Sequence, residues 1–210
     1  MTGPGRGLFV TIDGPGGVGK STVLERLRHR LVADGVHVHA TAEPSHTRLG
    51  DLARHGTETF RGMSLACLVA ADRYHHVETE ITPAVEGGAV VLCDRYIGSS
   101  LVLQRLDGLS VETIWALNRD ALRPDLSVIL NADPDVIRER LTARGTHSRF
   151  EKAPESVAKE PGLFTEAATF MDEVGFRTLA IDCTSRNPER TAELISAEIA
   201  ALLTGSTRAD

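Results

Sequence analysis

Residues 8–21 read Leu-Phe-Val-Thr-Ile-Asp-Gly-Pro-Gly-Gly-Val-Gly-Lys-Ser. Five apolar or β-branched residues lead through an acid into a glycine-rich loop, and a lysine and a hydroxyl then open a helical pattern. The spacing Gly14-x-x-x-x-Gly19-Lys20-Ser21 constrains the fold more than any other stretch, because a strand must run straight into the loop and a helix straight out of it. Glycines let successive N–H groups point inward at one anion without Cβ clashes. The helix that follows adds free N–H groups and the positive end of its dipole. The loop is therefore a phosphate cradle built from Gly14, Pro15, Gly16, Gly17, Val18 and Gly19, with Thr22 in the first helical turn. Lys20, expected at the rim of an exposed cradle, reaches the β- and γ-phosphates of ATP, and the Ser21 hydroxyl offers a ligand to Mg²⁺.

The rest of the chain alternates short apolar runs with helical patterns. The runs are Leu8–Ile12, Val36–Ala40, Ala89–Cys93, Leu126–Leu130 and Arg177–Ile181, each bounded by Gly, Pro, Asp or Asn. Helical patterns cover 20–33, 63–86 (long and broken), 98–106 and 110–121. Asp133-Pro134 opens another, with Asp as N-cap and Pro in the first turn, and Asn187-Pro188 opens the last. Such alternation predicts an α/β fold: a five-stranded parallel sheet flanked by helices, forming one domain over 1–210. The polar segment 145–162, with Gly145, Pro154, Pro161 and Gly162 and no clear period, reads as a mobile insertion.

A net charge of −6 argues against a general nucleic-acid or acidic-membrane surface. The stretch Arg26–Arg30 fits a solvated helix face. Cys67, Cys93 and Cys183 are odd in number and widely spaced, which suggests neither a disulfide framework nor a metal site and fits a reducing cytoplasm. Residues 1–7 read as a flexible leader without a signal peptide, and 205–210 as a frayed tail. No run reaches the ~20 apolar residues that span a bilayer. The eight histidines lack zinc-ligand spacing; His75 and His76 read as surface residues, and Trp115 as core.

Ala89–Asp94 is an apolar strand ending in an acid. Alone, such an Asp is most often a cap. After a phosphate cradle, Asp94 sits beside Mg²⁺ directly or through water. Asp13 either helps hold the metal or the acceptor, or makes a structural hydrogen bond.

Several further stretches occur in an order that resembles the thymidylate kinase family. They are Phe9–Gly14 with the cradle, Glu43-Pro44, Ala71-Asp72-Arg73, Asp94-Arg95-Tyr96 followed by Ser99-Ser100, Leu122–Leu126, and Arg144-Gly145 with Arg149-Phe150-Glu151. Together they cover about residues 8–152. The resemblance implies transfer of the γ-phosphate of ATP to the phosphate of dTMP or a related nucleotide. It implies that Arg73 and Arg95 grip the acceptor phosphate, and that Glu43, Val69, Ser99, Ser100 and Phe150 face the acceptor. It implies that Arg144 and Arg149, on a lid, stabilise the migrating group together with Lys20 and Asp94. It also implies a homodimer packed through residues 63–86.

Three positions depart from the family pattern. Gly16 stands where the family usually has an acid that contacts the sugar, and Val69 and Leu103 stand where it has aromatic rings. Phe60 and Phe150 are the rings available to compensate. The altered positions leave open a kinase for a different phosphorylated small molecule. A deoxynucleoside kinase would not need both Arg73 and Arg95, and a non-catalytic ATP-dependent switch would not need the retained Lys20, Ser21, Asp94 and Arg149.

Overall fold

The computed structural model describes residues 6–146 and 149–206. Leader positions 1–5, His147 and Ser148 of the expected lid, and tail positions 207–210 lie outside the described residues.

Five parallel strands form one sheet: β1 (Leu8–Asp13), β2 (Val38–Ala42), β3 (Val90–Asp94), β4 (Leu126–Asn131) and β5 (Thr178–Asp182). Their order is β2-β3-β1-β4-β5. The central strand β1 is buried along its whole length, and its side chains alternate between two cores. On one face Leu8, Val10 and Ile12 meet Val23, Leu27 and Leu31 of α1 (Lys20–Ala33) and Ala192, Ile195 and Ile199 of α10 (Pro188–Ser206). On the other, Phe9 joins Val91, Cys93 and Ile129. That face is covered by α4 (Thr82–Glu86), α5 (Ile97–Leu106), α6 (Val111–Asn118) and α9 (Pro154–Glu173). Trp115 of α6 sits at the margin of this second core, edge-on to Phe170 and Phe176.

The strands lie where the apolar runs predict, shifted by a residue or two toward their carboxyl ends. The run Val36–Ala40 becomes Val38–Ala42 because the Val36 N–H is spent closing α1 on Leu31 O at 2.9 Å. The shift matters, since it brings Ala42 beside Asp94 in register and puts Glu43 next to Asp94 and Asp13.

The long broken stretch is α3 (Gly62–His76), a wider five-residue turn at Val77–Ile81, and α4. The helix α7 (Pro134–Arg144) starts as its cap predicts, the Asp135 N–H donating to Asp133 Oδ1 at 2.8 Å. Two elements differ from expectation. Helix α2 (Arg48–His55) is short, capped by Thr47, and carries Gly50, whose Cβ would lie 2.0 Å from Ser45 O. Residues 149–162 of the expected insertion are also helical for most of their length, which their composition does not suggest. They hold the short turn α8 (Arg149–Lys152) and the start of α9, which continues through Pro161. The buried face of α9 recurs at Val157, Glu160, Pro161, Phe164, Ala168 and Met171, so packing overrides the proline penalty of ~3 kcal/mol.

Candidate active site

Both functional loops leave the carboxyl ends of adjacent strands β1 and β3, where parallel α/β sheets bind ligands. Gly19, with φ 105°, caps α1 without any side-chain hydrogen bond, so the first N–H groups of the helix stay open to an anion. A Cβ at Gly14 would lie 2.3 Å from Leu130 O. Lys20 does not stand at the rim as expected. It folds beneath the loop and is only 7% exposed, its Nζ donating to Gly14 O and Pro15 O at 2.9 Å each. Burial, assisted by the charge of Arg95, lowers its pKa to about 7.

The cradle opens into a cavity of about 700 Å³ lined by Gly16–Thr22, Asp94, Arg95, Arg140, Arg144 and Arg186. Asp94 Oδ1 is buried with no hydrogen-bond partner, and Ser21 lines the same wall. Among the described residues no cluster of three or more His, Cys, Asp or Glu could hold a metal. One hydroxyl and one carboxylate beside a phosphate cradle nevertheless fit Mg²⁺, which draws much of its coordination from phosphate and water. Asp13 is a structural clamp through one oxygen, while its Oδ2, like Asp94 Oδ1, is buried with no hydrogen-bond partner among the described residues. Its Oδ1 accepts the Tyr96 N–H at 2.8 Å and the Ser99 N–H at 2.7 Å, pinning the start of α5. Just before them the chain turns at Arg95, which holds φ 71°.

A second cavity, of about 300 Å³, adjoins the first. The acceptor candidates Glu43, Val69, Arg73, Arg95, Ser99, Ser100 and Phe150 all line it, whereas Phe60 packs against Gly56. Gly16, Arg95 and Glu151 line both cavities and so mark their junction. The two arginines expected to share one anion are placed differently. Arg95 reaches toward the cradle, donating to Ser99 Oγ at 3.2 Å and Gly14 O at 3.4 Å. Arg73 is 1% exposed and gives its guanidinium to Glu43 Oε2 at 2.8 Å, to Ser100 Oγ at 3.0 Å and to Asn118 Oδ1. Burial opposes its charge, but Glu43 more than offsets this and holds its pKa above the usual arginine value.

The two arginines expected on a lid also part company. Arg144 lines the nucleotide cavity and pairs with Glu151 at 2.8 Å. Arg149 turns away, pairing with Asp107 and stacking 4.2 Å over the Phe150 ring.

The sequence matches the thymidylate kinase family model over residues 12–178. The chain belongs to the thymidylate kinase family. It is 42% identical over 155 residues to the thymidylate kinase of Pseudomonas fluorescens, covering 70% of this chain and 74% of that one. It is 37% identical over 211 residues to the thymidylate kinase of Clavibacter sepedonicus, covering 93% of each. It is 39% identical over 177 residues to the probable thymidylate kinase of Pyrococcus abyssi, covering 80% and 86%.

Against the thymidylate kinase pattern, the gap at Gly16 is not empty. A Cβ there would lie 2.6 Å from Glu151 Oε1, so the Glu151 carboxylate occupies the space beside the loop. A second carboxylate, Glu160, accepts the Gly16 N–H at 3.1 Å. Burial pushes its pKa up, against the pull of that hydrogen bond and of Arg95. Sequence reading missed Glu160, Arg54 and Gln104 on the acceptor side, and Arg140 and Arg186 on the nucleotide side. Gln104 is 5% exposed and its Oε1 has no partner. The signal for Gln104 was its place on α5, one turn beyond the Ser99-Ser100 pair. His76, expected at the surface, is fully buried, and Cys93 and Cys183 are core residues.

Proposed function

We propose that the chain transfers the γ-phosphoryl group of ATP to the 5′-phosphate of dTMP, giving ADP and dTDP. The meeting of the two cavities at Gly16, Arg95 and Glu151 carries this reading, because it places a donor phosphate cradle against an acceptor site. The donor phosphates lie in the cradle on the N–H groups of α1 and the Lys20 ammonium. Arg95, with Arg54, holds the acceptor phosphate by charge-assisted bonds, and Arg73 faces the acceptor from the wall of the same cavity. An acceptor phosphate oxygen bonds to the γ-phosphorus as the bond from that phosphorus to the β-bridging oxygen breaks. The attacking oxygen is already anionic at neutral pH, so no general base is required. Arg144 neutralises charge on the group in flight. Ser21 and Asp94 would hold Mg²⁺, which spreads the negative charge of the donor phosphates.

Base choice falls to a wall of Leu65, Val69 and Leu103, with the amide of Gln104 at its edge. An amide offers one acceptor and one donor, the complement of a thymine imide edge. Within the same reading the chain is one domain in a cytoplasmic setting, with 145–162 as its lid. It pairs as a homodimer through α3, whose Met63 and Tyr74 are exposed. Among the described residues, no helix is long and apolar enough to cross a membrane.

An ADP-release screen across nucleoside monophosphates, nucleosides and phosphorylated small molecules tests the reading, with Lys20→Ala as the inactive control. dTMP should lead, with kcat/KM inside the ordinary enzyme range of about 10⁴–10⁸ M⁻¹s⁻¹. A nucleoside or a non-nucleotide phosphate outperforming dTMP would overturn it.

A further inference from the structure

Arg73 is a buried cation on the acceptor wall, and what fixes it is a carboxylate held from both sides. Glu43 follows β2, its own N–H anchored to Asp94 O at 2.9 Å, so the backbone is set and only the side chain needs steering. One oxygen, Oε2, takes both Nε and Nη2 of Arg73 at 2.8 Å. The other, Oε1, lies 3.4 Å from Nδ1 of His76. A carboxylate only accepts, so Nδ1 carries the hydrogen and donates it. His76 is three residues beyond Arg73 on α3, so both side chains reach the same carboxylate from one helix face. The far side of the ring is also engaged, with Nε2 2.8 Å from Thr41 Oγ1 and 3.5 Å from Glu80 Oε2. His76 has no exposed surface, whereas its neighbour His75 is exposed. His76 does not itself line the cavity and reaches it through Glu43, which does.

We propose that His76 is a positioning residue of the acceptor site, acting through Glu43 to hold the Arg73 guanidinium against the acceptor. The inference rests on the acceptor cavity identified above. With the Nδ1 donor in place, Glu43 Oε1 is satisfied and Oε2 stays directed at Arg73. Without it, a buried carboxylate oxygen loses its partner and the carboxylate turns to recover one. Arg73 then moves with it, and the effect falls on acceptor binding and not on the ATP cradle.

Asparagine and glutamine separate this from a purely structural role. The side-chain nitrogen of asparagine stands where Nδ1 stands, and that of glutamine stands near Nε2. His76→Gln should raise acceptor KM roughly tenfold and leave ATP KM unchanged. His76→Asn should rescue acceptor KM to within about threefold of wild type. Both variants should lose similar thermal stability, since both remove a buried ring. Glu43→Gln, which puts an NH₂ group that cannot accept opposite His76 and also strips the counter-charge from Arg73, should raise acceptor KM at least as far as His76→Gln, and adding His76→Gln to it should raise acceptor KM no further. The assay varies dTMP and ATP in turn on the full chain. If wild-type enzyme is inert toward dTMP, the acceptor returned by the screen takes its place, so the substrate reading and the positioning role fail separately. Equal acceptor KM in the Asn and Gln variants, or an unchanged acceptor KM in Glu43→Gln, would overturn the proposal.

Discussion

Lys20 is neutral for much of the physiological range in the ligand-free protein, and ATP must restore its proton. Burial beneath the loop, with Arg95 nearby, lowers its pKa to about 7, while two backbone carbonyls accept its hydrogen bonds. At pH 8 such a group is protonated in only about one molecule in ten. A bound triphosphate places several negative charges within contact distance and raises the pKa well above 8. Binding at pH 8 should therefore take up about 0.9 proton, and at pH 6 only about 0.1. Titration calorimetry in buffers of different ionisation enthalpy reads this number as a slope. Lys20→Arg, whose side chain does not deprotonate, should bind with no uptake from this position. A zero slope for wild type at pH 8, or an equal slope in Lys20→Arg, would refute the reasoning. Stability carries the same sign. The unfolded lysine keeps its proton to about 10.5 and the folded one only to about 7, so the unfolded state binds more protons between those values. The ligand-free protein should gain stability from this group as pH rises through that window.

Asp13→Ala leaves the Tyr96 and Ser99 N–H groups without their acceptor and should cost about 2–4 kcal/mol by urea denaturation. Asp13→Asn keeps an oxygen in place and should recover more than half of that, so equal losses would remove the clamp role. Arg144→Ala should lower kcat at least roughly a hundredfold with little change in KM, and Arg149→Ala by less than about tenfold. A reversed order in rapid-quench turnover would mean that Arg149 leaves Asp107 during the reaction.

The parts of the molecule legible in the sequence are those written in consecutive residues. The loop 14–21 is such a part, since its strand, glycines and helix start are contiguous and each has a local reason to be there. Helix α1 falls at 20–33 as its pattern predicts, and Asp133-Pro134 caps α7. Helix α9 was hidden because most of its buried face, from Phe164 on, lies beyond the proline-rich segment, and tertiary packing carries it across Pro161. The acceptor wall was legible only in outline. Resemblance supplies Arg73 and Arg95 as residues of one site, but not where each guanidinium points. That depends on Glu43, Asn118 and Gly14, which lie 30, 45 and 81 residues away. Arg149 shows the same limit, since its partner Asp107 is 42 residues distant and no local pattern announces the pair.

The crowding at Gly16 makes positions 16 and 151 epistatic. Any side chain at 16 claims volume that the Glu151 carboxylate already fills, with Oε1, Cγ and Cδ at 2.6, 2.7 and 3.0 Å from the first atom added. A side chain added at 16 therefore turns the Glu151 carboxylate aside, and the ion pair that carboxylate makes with Arg144 is disturbed with it. Chimeras that import a loop 14–21 with an acid at 16 should alter the setting of Arg144 as well as the loop itself.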